Sequence, residues 1–215
     1  MIKTKKDLEF YLAADKFALG KTRKYPVIGD EIWKYQILLR KTEYYKNKNP
    51  SFLNKVLLRF YQVRKYSLGM KLGFDIGDNV FAAGLRINHF GNLVVNSGAK
   101  VGMWCDIHQG VNIGSNNSPD GRLLVPNIGT NAWIGPGAKI FGDIKIDSGV
   151  VIGANSVVNK DFPKNTTIVG MPAKVIKNTG TELINVTANI NNMEIFFSEN
   201  PKFQQYRPDN NEKNK

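Results

Sequence analysis

Isoleucine recurs at every sixth position through the middle of the chain. The clearest run holds Ile128, Ile134, Ile140, Ile146 and Ile152. Small or apolar residues form a second series with the same period, at Ala132, Ala138, Ile144, Val150 and Ser156. The first series continues upstream at Val101, Ile107 and Ile113. A period of six is typical of a solenoid built from short strands and turns. We therefore predict a mainly β fold, a left-handed parallel β-helix of hexapeptide repeats with the isoleucines stacked along its axis.

The repeat is interrupted once, between Ile113 and Ile128. The intervening sequence GSNNSPDGRLLVPN exceeds two repeats by a few residues. Insertions in a solenoid become loops that project from one face, which is often the functional face. We predict a projecting loop at this point.

Helical spacing replaces the six-residue period in the first part of the chain. Apolar residues three or four positions apart predict helices over residues 7–19, 31–46 and 52–68. A Pro and a Gly between the first two helices end the first one. The third helix keeps one face apolar, through Leu53, Val56, Leu57, Phe60 and Tyr61. We expect these helices to form a small bundle.

The changes of pattern divide the chain into three predicted parts. Residues 1–72 form an N-terminal helical region, residues 73–177 the β-helix, and residues 178–215 a C-terminal extension. Five bulky residues of the extension could pack onto a neighbour: Ile195, Phe196, Phe197, Phe203 and Tyr206. Residues 208–215 are predicted to form a frayed tail, so the extension is expected to be partly disordered.

Charge is distributed unevenly over the 215 residues. The net charge is +12, and residues 1–70 hold sixteen Lys and Arg against six Asp and Glu. Such a basic region is most often a solvated surface, and it can also attract nucleic acid, polyanions or an anionic membrane face. The sequence has no zinc-ligand spacing and no RNA- or DNA-binding motif. We therefore predict no nucleic-acid partner and keep peripheral membrane association as a weaker alternative.

The single cysteine, Cys105, excludes an internal disulfide and favours a reducing compartment. We expect its side chain to be buried as a small hydrophobe. The chain has no run of about 20 apolar residues that could span a membrane. Its basic start meets Asp7 and Glu9 before any apolar run, unlike a signal peptide. The prediction is a cytoplasmic protein.

Three segments carry motifs in a specific order and spacing. They are INHFGNLVVNSGAKVGMWCDIHQGVNIG at 87–114, IGPGAKIFGDIKIDSGVVIGANSVV at 134–158 and IVGMPAKVI at 168–176. The segments resemble the serine O-acetyltransferase family, and the match extends over residues 75–177, about half the chain. Within that family, the sequence is most similar to capsule and exopolysaccharide O-acetyltransferases. The resemblance implies an O-acetyltransferase that takes its acetyl group from acetyl-CoA and uses no metal.

The resemblance assigns the role of catalytic base to His89. An alcohol attacks a thioester poorly unless a base removes its proton, and a neutral imidazole can do this near pH 7. Two departures from the family affect the acceptor site. Serine enzymes of the family carry Asp where this chain has Asn88, and a second His where it has Val125. These departures favour a hydroxyl of a sugar or of a cell-surface polysaccharide or its precursor as acceptor over serine.

Two further residues join Asn88 as candidates for binding the acceptor. His108 follows the inward-facing Ile107, so we expect it to point away from the axis. It could bind the acceptor, substitute in part for the missing loop His, or only lie at a surface. Asp106 could polarise an imidazole, and a backbone carbonyl could do the same.

The resemblance also implies a groove for coenzyme A between the coils of neighbouring subunits. Backbone amides of small residues would hold the pantetheine, and basic side chains would meet the phosphates. The predicted set is Gly114, Ser115, Gly137, Ala138, Ala154, Lys160 and Lys174. Gly and Ala are required at the corners of a β-helix in any case, so the fold alone also explains the small residues.

The resemblance further implies a homotrimer with active sites shared between subunits, and residues 1–70 could join two trimers. Three functions stay open. A sugar or polysaccharide O-acetyltransferase leads, and a serine O-acetyltransferase of cysteine biosynthesis is the alternative. A non-catalytic β-helix scaffold or a zinc enzyme comes third. Related zinc enzymes need three His ligands, and this sequence has two histidines.

Overall fold

The computed structural model describes residues 1–208. Three helices come first: α1 (Lys5–Ala18), α2 (Glu31–Lys46) and α3 (Phe52–Leu72). Thr4 caps α1, because its hydroxyl accepts a hydrogen bond from the N–H of Asp7 while the Asp7 carboxylate accepts one from the N–H of Thr4. α3 ends at Gly73, whose φ of 75° is the left-handed backbone that glycine adopts without strain.

Sixteen short strands follow within the described residues. In chain order they are β1 (Phe74–Ile76), β2 (Arg86–Ile87), β3 (Leu93–Val95), β4 (Lys100–Val101), β5 (Asp106–Ile107), β6 (Asn112–Ile113), β7 (Asn116–Asn117), β8 (Leu123–Leu124), β9 (Asn127–Ile128), β10 (Trp133–Ile134), β11 (Lys139–Ile140), β12 (Lys145–Ile146), β13 (Val151–Ile152), β14 (Val157–Val158), β15 (Thr167–Gly170) and β16 (Ala173–Lys177). A last α-helix, α4 (Ile190–Glu199), lies between two 3₁₀ helices, Thr181–Leu183 and Pro201–Tyr206.

The strands stack into three parallel sheets that form the faces of a coil. Sheet A has the order β1-β3-β6-β11-β14, and sheet B the order β4-β9-β12. Sheet C has the order β2-β5-β10-β13-β15, with β16 added antiparallel at its end. The chain passes from sheet A to B to C and back to A, so each strand pairs with the strand one full turn later. The predicted parallel β-helix of hexapeptide repeats is confirmed.

The ladder of isoleucines lies inside this coil. Ile107, Ile134 and Ile152 are paired in register along sheet C, and their side chains are fully buried. Burying one such side chain contributes roughly 1.5–3 kcal/mol, and the coil repeats the contact on each face. The residues of the second series, at positions 132, 138, 144, 150 and 156, are also buried. Each six-residue repeat therefore has two inward-facing positions, one from each of the two series.

The predicted loop leaves the coil after β6. Its strands β7 and β8 pair antiparallel and form a hairpin. Leu123 in this hairpin is half exposed, and most of residues 116–123 lie at the surface. The interruption of the repeat is therefore a hairpin that projects from the coil.

The N-terminal helices pack against one another and against the coil. Tyr35 and Leu39 of α2 belong to the same hydrophobic core as the isoleucine ladder. Arg40, also on α2, is fully buried and donates hydrogen bonds to the carbonyl oxygens of Phe81 and Ala82 in the first coil. α2 packs against both α1 and α3, in agreement with the predicted small helical bundle, and it also completes the core at the open end of the coil.

A buried charge cluster joins α1 to α2. The guanidinium of Arg40 lies 2.7 Å from the Asp15 carboxylate and 3.0 Å from that of Glu43. The Asp15 carboxylate also accepts hydrogen bonds from the N–H groups of Gly84 and Leu85. One cluster therefore connects two helices and the coil, and its charges are paired, as buried charges must be.

The chain covers only part of the apolar face predicted for α3. Leu53, Val56 and Phe60 are exposed, and Gly69 is the buried residue of this helix. Leu57 and Tyr61 of that face are partly buried, and Tyr61 stacks on Tyr45 of α2. α3 also packs against β1. Helical spacing shows which residues share a face, but it does not show what lies against that face.

The C-terminal extension packs onto its own chain. A second hydrophobic cluster joins α4 and the last 3₁₀ helix to α1 and the coil through Phe10, Trp104, Phe196, Phe197 and Phe203. Tyr206 stacks on Phe10 with ring centroids 4.2 Å apart, whereas Ile195 is about half exposed. The neighbour of these aromatic side chains is therefore α1 of the same chain. The predicted frayed tail, residues 208–215, lies outside the described residues except for Pro208.

Candidate active site

His89 lies where the chain leaves sheet C for sheet A, at a place called here the C–A corner. It follows the end of β2 by two residues, and its side chain is exposed. His89 and Phe90 line a cleft between the first coil and the helical part of the chain. Charged side chains of both signs line the same cleft: Lys21, Asp30, Glu31, Lys71 and Arg86. The imidazole is therefore accessible from a polar cleft.

A second imidazole lies one coil further on. Strands β2 and β5 are paired in register, so His108 holds in its coil the position that Asn88 holds in the first. The ring centroids of His108 and His89 are 6.5 Å apart, and the His108 ring lies 4.8 Å from the ring of Trp133. His108 points away from the axis, as predicted, and is partly buried. The site therefore holds two imidazoles in adjacent coils.

A backbone carbonyl sets the orientation of the His108 ring. Nδ1 of His108 lies 3.0 Å from the carbonyl oxygen of Ile134. A carbonyl oxygen only accepts hydrogen bonds, so the neutral ring carries its proton on Nδ1 and leaves Nε2 as an acceptor. The sequence left open whether Asp106 or a carbonyl orients an imidazole. For His108, the carbonyl makes the contact.

Asp106 is the buried carboxylate of the site. Asp106 is only 3 % exposed, and its carboxylate accepts a hydrogen bond from the side-chain amide of Asn88. Burial raises the pKa of the Asp106 carboxyl above its ordinary value, while the charges of Arg86 and His108 and the bond from Asn88 act in the opposite direction. With so little exposed surface, Asp106 can act on an acceptor only through its neighbours Asn88 and His108.

The C-terminal extension covers this carboxylate. Residues 185–187 line a groove together with Asp106 and His108, and the backbone of Thr187 is hydrogen-bonded to Asp106. Arg86 donates a hydrogen bond to the hydroxyl of Thr187. Sequence reasoning missed Arg86 and Thr187, since neither belongs to a motif. The register of the repeat could have identified Arg86, because it pairs Arg86 with Asp106 on adjacent strands.

Three residues predicted to bind coenzyme A lie at the same corner as His89. Gly137 and Ala138 connect β10 to β11, and Ala154 follows β13. The Ala138 side chain is fully buried, and its N–H donates to the carbonyl of Gly135 at 3.3 Å. Gly137 has a φ of 76°, which favours glycine at this turn. Ala154 is exposed and is the most accessible of the three.

The other predicted coenzyme A residues lie elsewhere on the chain. Gly114 and Ser115 follow β6, and Lys160 follows β14, at the corner between sheets A and B, called here the A–B corner. The Ser115 hydroxyl accepts a hydrogen bond from the Asn96 amide at 3.2 Å. Lys174 is exposed on β16, at the end of sheet C. One chain therefore does not bring the seven residues into one groove.

Cys105 is buried, as predicted, and burial raises the pKa of its thiol, which keeps it protonated. Among residues 1–208, no group of three or more His, Cys, Asp or Glu side chains could hold a metal ion. None of the helices in that part of the chain is long and apolar enough to cross a bilayer.

Known proteins share both the repeat and the fold. The family model "Bacterial transferase hexapeptide (six repeats)" matches residues 126–160. The serine acetyltransferase of Staphylococcus epidermidis is 36% identical over 124 residues, which are 57% of this chain and 55% of that protein. The serine acetyltransferase of Synechococcus elongatus is 39% identical over 100 residues, 46% of this chain and 41% of that protein. The chain therefore spans about half the length of these relatives or less.

Two solved structures extend the similarity to the helical part. The serine acetyltransferase of Neisseria gonorrhoeae in complex with serine matches with a TM-score of 0.57 and 28% identity, over 79% of this chain and 69% of that one. The soybean serine acetyltransferase complexed with serine matches with a TM-score of 0.62 and 25% identity, over 80% and 70% of the two chains.

Proposed function

We propose that this chain, which shares its hexapeptide repeat and its fold with serine acetyltransferases, is an O-acetyltransferase that uses acetyl-CoA. The observation that carries this proposal is the place of His89, an exposed imidazole beside a cleft lined by charges of both signs. Acetyl transfer needs a base that both substrates can reach. His89 meets that requirement, whereas the buried Asp106 does not.

In the proposed reaction, His89 removes the proton of the acceptor hydroxyl as its oxygen attacks the thioester carbonyl of acetyl-CoA. The tetrahedral oxyanion that forms would be stabilised by hydrogen-bond donors, each worth roughly 3–4 kcal/mol in other enzymes. The carbon–sulfur bond then breaks, and the thiolate of coenzyme A takes the proton from the imidazolium. The products are an O-acetyl ester and a free thiol.

We propose L-serine as the first acceptor to test. The two curated relatives above are serine acetyltransferases, and the N. gonorrhoeae and soybean proteins were crystallised with serine. Serine is a zwitterion and therefore needs partners of both signs. The cleft beside His89 holds Lys71 and Arg86, which could bind its carboxylate. It also holds Asp30 and Glu31, which pair with Lys21 and Lys34 and would exchange those partners for the ammonium group of serine.

A sugar hydroxyl is the second candidate, although the relatives favour serine over it. Asn88 and Val125 replace the Asp and the loop His that the family resemblance implies for serine enzymes. The amide of Asn88 is bonded to Asp106 and cannot neutralise an ammonium group. A carboxamide suits a neutral hydroxyl, and hydroxyls are the groups that a sugar presents.

Coenzyme A would lie between two subunits of a homotrimer. His89 and Ala154 stand at the C–A corner, whereas Gly114, Ser115 and Lys160 stand at the A–B corner of the same chain. In a cyclic assembly, one corner of each chain can meet a different corner of the next. We propose that the A–B corner of the neighbouring subunit completes the site, with Lys160 near the phosphates of coenzyme A.

The test is acetyl-CoA turnover with a panel of acceptors. Free thiol release is measured with L-serine, sugar nucleotides and oligosaccharides, and mass spectrometry identifies the acetylated product.

His89→Ala should lower kcat by about 10²–10⁴-fold. Glu9→Ala, which changes an exposed carboxylate on α1 away from both corners, should keep the wild-type rate. Equal rates for His89→Ala and the wild type would refute the assignment of the base. An acetylated sugar without O-acetylserine would select the second candidate.

A further inference from the structure

An apolar stripe runs along the exposed side of α3. Its members are large apolar residues that are each at least 49 % exposed: Phe52, Val56, Phe60, Val63 and Met70. They are four, four, three and seven positions apart, so they lie along one line of the helix. Single exposed apolar residues are normal on a protein surface, but a contiguous row of this length marks a surface that meets a partner. We call this row the α3 stripe.

Basic side chains flank the α3 stripe on both sides. At about 100° per residue, Lys55 and Arg59 lie on one side of the stripe, and Arg64 and Lys71 lie on the other. Lys65 is turned towards the coil, where it pairs with a carboxylate. The sequence of α3 contains no Asp or Glu. The outer surface of the helix is therefore apolar in the middle and cationic along both edges.

The loop between α1 and α2 extends this surface. Tyr25 and Ile28 of the loop are 67 % and 97 % exposed. Pro26 lines a groove together with Val63 and Arg64 of α3. The loop also holds two exposed basic residues, Arg23 and Lys24, whereas its third, Lys21, pairs with Asp30. Two separate segments of the chain thus present the same combination of exposed apolar and cationic groups side by side.

We propose that this surface docks the protein on an anionic membrane, with the α3 stripe among the lipid head groups and the flanking cations against lipid phosphates. An apolar row bordered by Lys and Arg is the arrangement of helices that lie in the plane of a bilayer surface. A second copy of the chain, paired through the same face, would bring two sets of cations together with no α3 carboxylate between them. Anionic lipid neutralises all of those cations.

The docked surface lies next to the cleft of His89. Lys71 lines both that cleft and the groove between α3 and the loop. A bilayer bound at α3 would therefore lie beside the place where the acceptor enters. The docking itself does not depend on the proposed acetyl transfer, so the two proposals can fail separately.

Vesicle sedimentation of the whole chain tests the docking. One set of vesicles contains phosphatidylcholine alone, and in the other about one third of the lipid is phosphatidylglycerol. We expect binding to the anionic vesicles only, and its loss at high salt. Phe60→Ser combined with Val63→Ser should weaken binding at least about tenfold, because the apolar stripe is interrupted. Arg59→Glu combined with Arg64→Glu should weaken it at least about tenfold as well.

Two matched variants serve as controls. Lys164→Glu with Lys177→Glu changes the net charge by the same amount at exposed positions of the coil, and Ile176→Ser with Leu183→Ser removes exposed apolar residues elsewhere. Both should bind as the wild type does, and circular dichroism verifies that every variant folds. Equal binding to both kinds of vesicle, or equal losses in the control variants, would overturn the proposal. A lower oligomeric mass of the stripe variants in light scattering would also overturn it, since the face would then join copies of the chain.

Discussion

Asn88 donates a hydrogen bond from its side-chain amide to the carboxylate of Asp106, one coil away. The negative charge that the family resemblance places at position 88 is therefore present in this site, but it is shifted by one coil and buried. The charge of His108 acts on the same carboxyl. The site thus keeps a carboxylate next to its imidazoles at a position where comparison of motifs does not reveal it.

Asp106→Asn is expected to raise stability at neutral pH. Burial raises the pKa of this carboxyl above its ordinary value of 3.8, so the folded chain holds the proton more tightly than the unfolded chain does. The contribution of Asp106 to stability is therefore largest below the unfolded pKa and is lost as the pH rises through the folded pKa. Urea unfolding measured from below pH 3.8 up to neutral pH should show that the free energy of unfolding of Asp106→Asn exceeds that of the wild type by more as the pH rises. An advantage that is constant with pH would contradict this account.

The same variant should lose activity. Misplaced groups around a reacting centre cost up to about 10²-fold in rate, and Asp106 holds Asn88 beside His89. We expect a fall in kcat of about tenfold or more for Asp106→Asn. Glu9→Gln, at an exposed position of α1 away from both corners, is the control and should leave kcat unchanged.

Most of the coil was predictable because its signal is local. A solenoid repeat directs the same position of every unit to the axis, so the stacking of Ile134 on Ile152 follows from the period alone. The helix α2 begins and ends where the apolar spacing predicts, at residues 31 and 46. The β7–β8 hairpin lies where the repeat is interrupted.

Contacts between distant segments carry no such local signal. Arg40 has the sequence context of an ordinary helix cation, yet it is buried against Asp15, 25 positions earlier. Asp106 is covered by the C-terminal extension, which is held there by Thr187. Thr187 lies outside the hexapeptide repeats, 101 positions after its hydrogen-bond partner Arg86. Such long-range contacts determine how deeply the site residues are buried and which charges lie near them. The sequence therefore predicted which residues form the site, but not the burial of Asp106 or the charges that act on it.

Arg40→Met is expected to lower the free energy of unfolding by about 3–5 kcal/mol. Arg40 lies between Asp15 and Glu43, and its removal leaves two buried carboxylates without their counter-charge. Burial raises the pKa of Glu43, and Arg40 opposes that effect. Lys34→Met breaks a partly exposed pair with Glu31 and should cost less than about 1 kcal/mol. Equal losses in urea unfolding would show that the buried cluster contributes no more than a surface pair.

Gly102→Ala is expected to destabilise the coil more than Gly98→Ala. A Cβ on Gly102 would lie 2.6 Å from backbone atoms of Gly129 and Thr130 in the next coil. Those atoms cannot move aside without disturbing the stacking of the coils. A Cβ on Gly98 would meet side-chain atoms, the nearest at 3.2 Å, and side chains can shift. Thermal unfolding should show a loss of about 1–3 kcal/mol for Gly102→Ala and a smaller one for Gly98→Ala. The opposite order would contradict the stacking argument.

Two inactive variants should restore activity to each other if neighbouring subunits share the site. His89→Ala removes the base at the C–A corner, and Ser115→Trp fills the A–B corner with a bulky ring. In trimers assembled from equal amounts of both chains, about one quarter of the interfaces combine an intact C–A corner with an intact A–B corner. Co-expression should therefore give about a quarter of the wild-type rate of thiol release.

The control pairs His89→Ala with Ala154→Trp. Both changes damage the C–A corner, so no interface regains an intact one and the mixture should stay inactive. Recovery in neither pair would mean that both substrates meet on one chain.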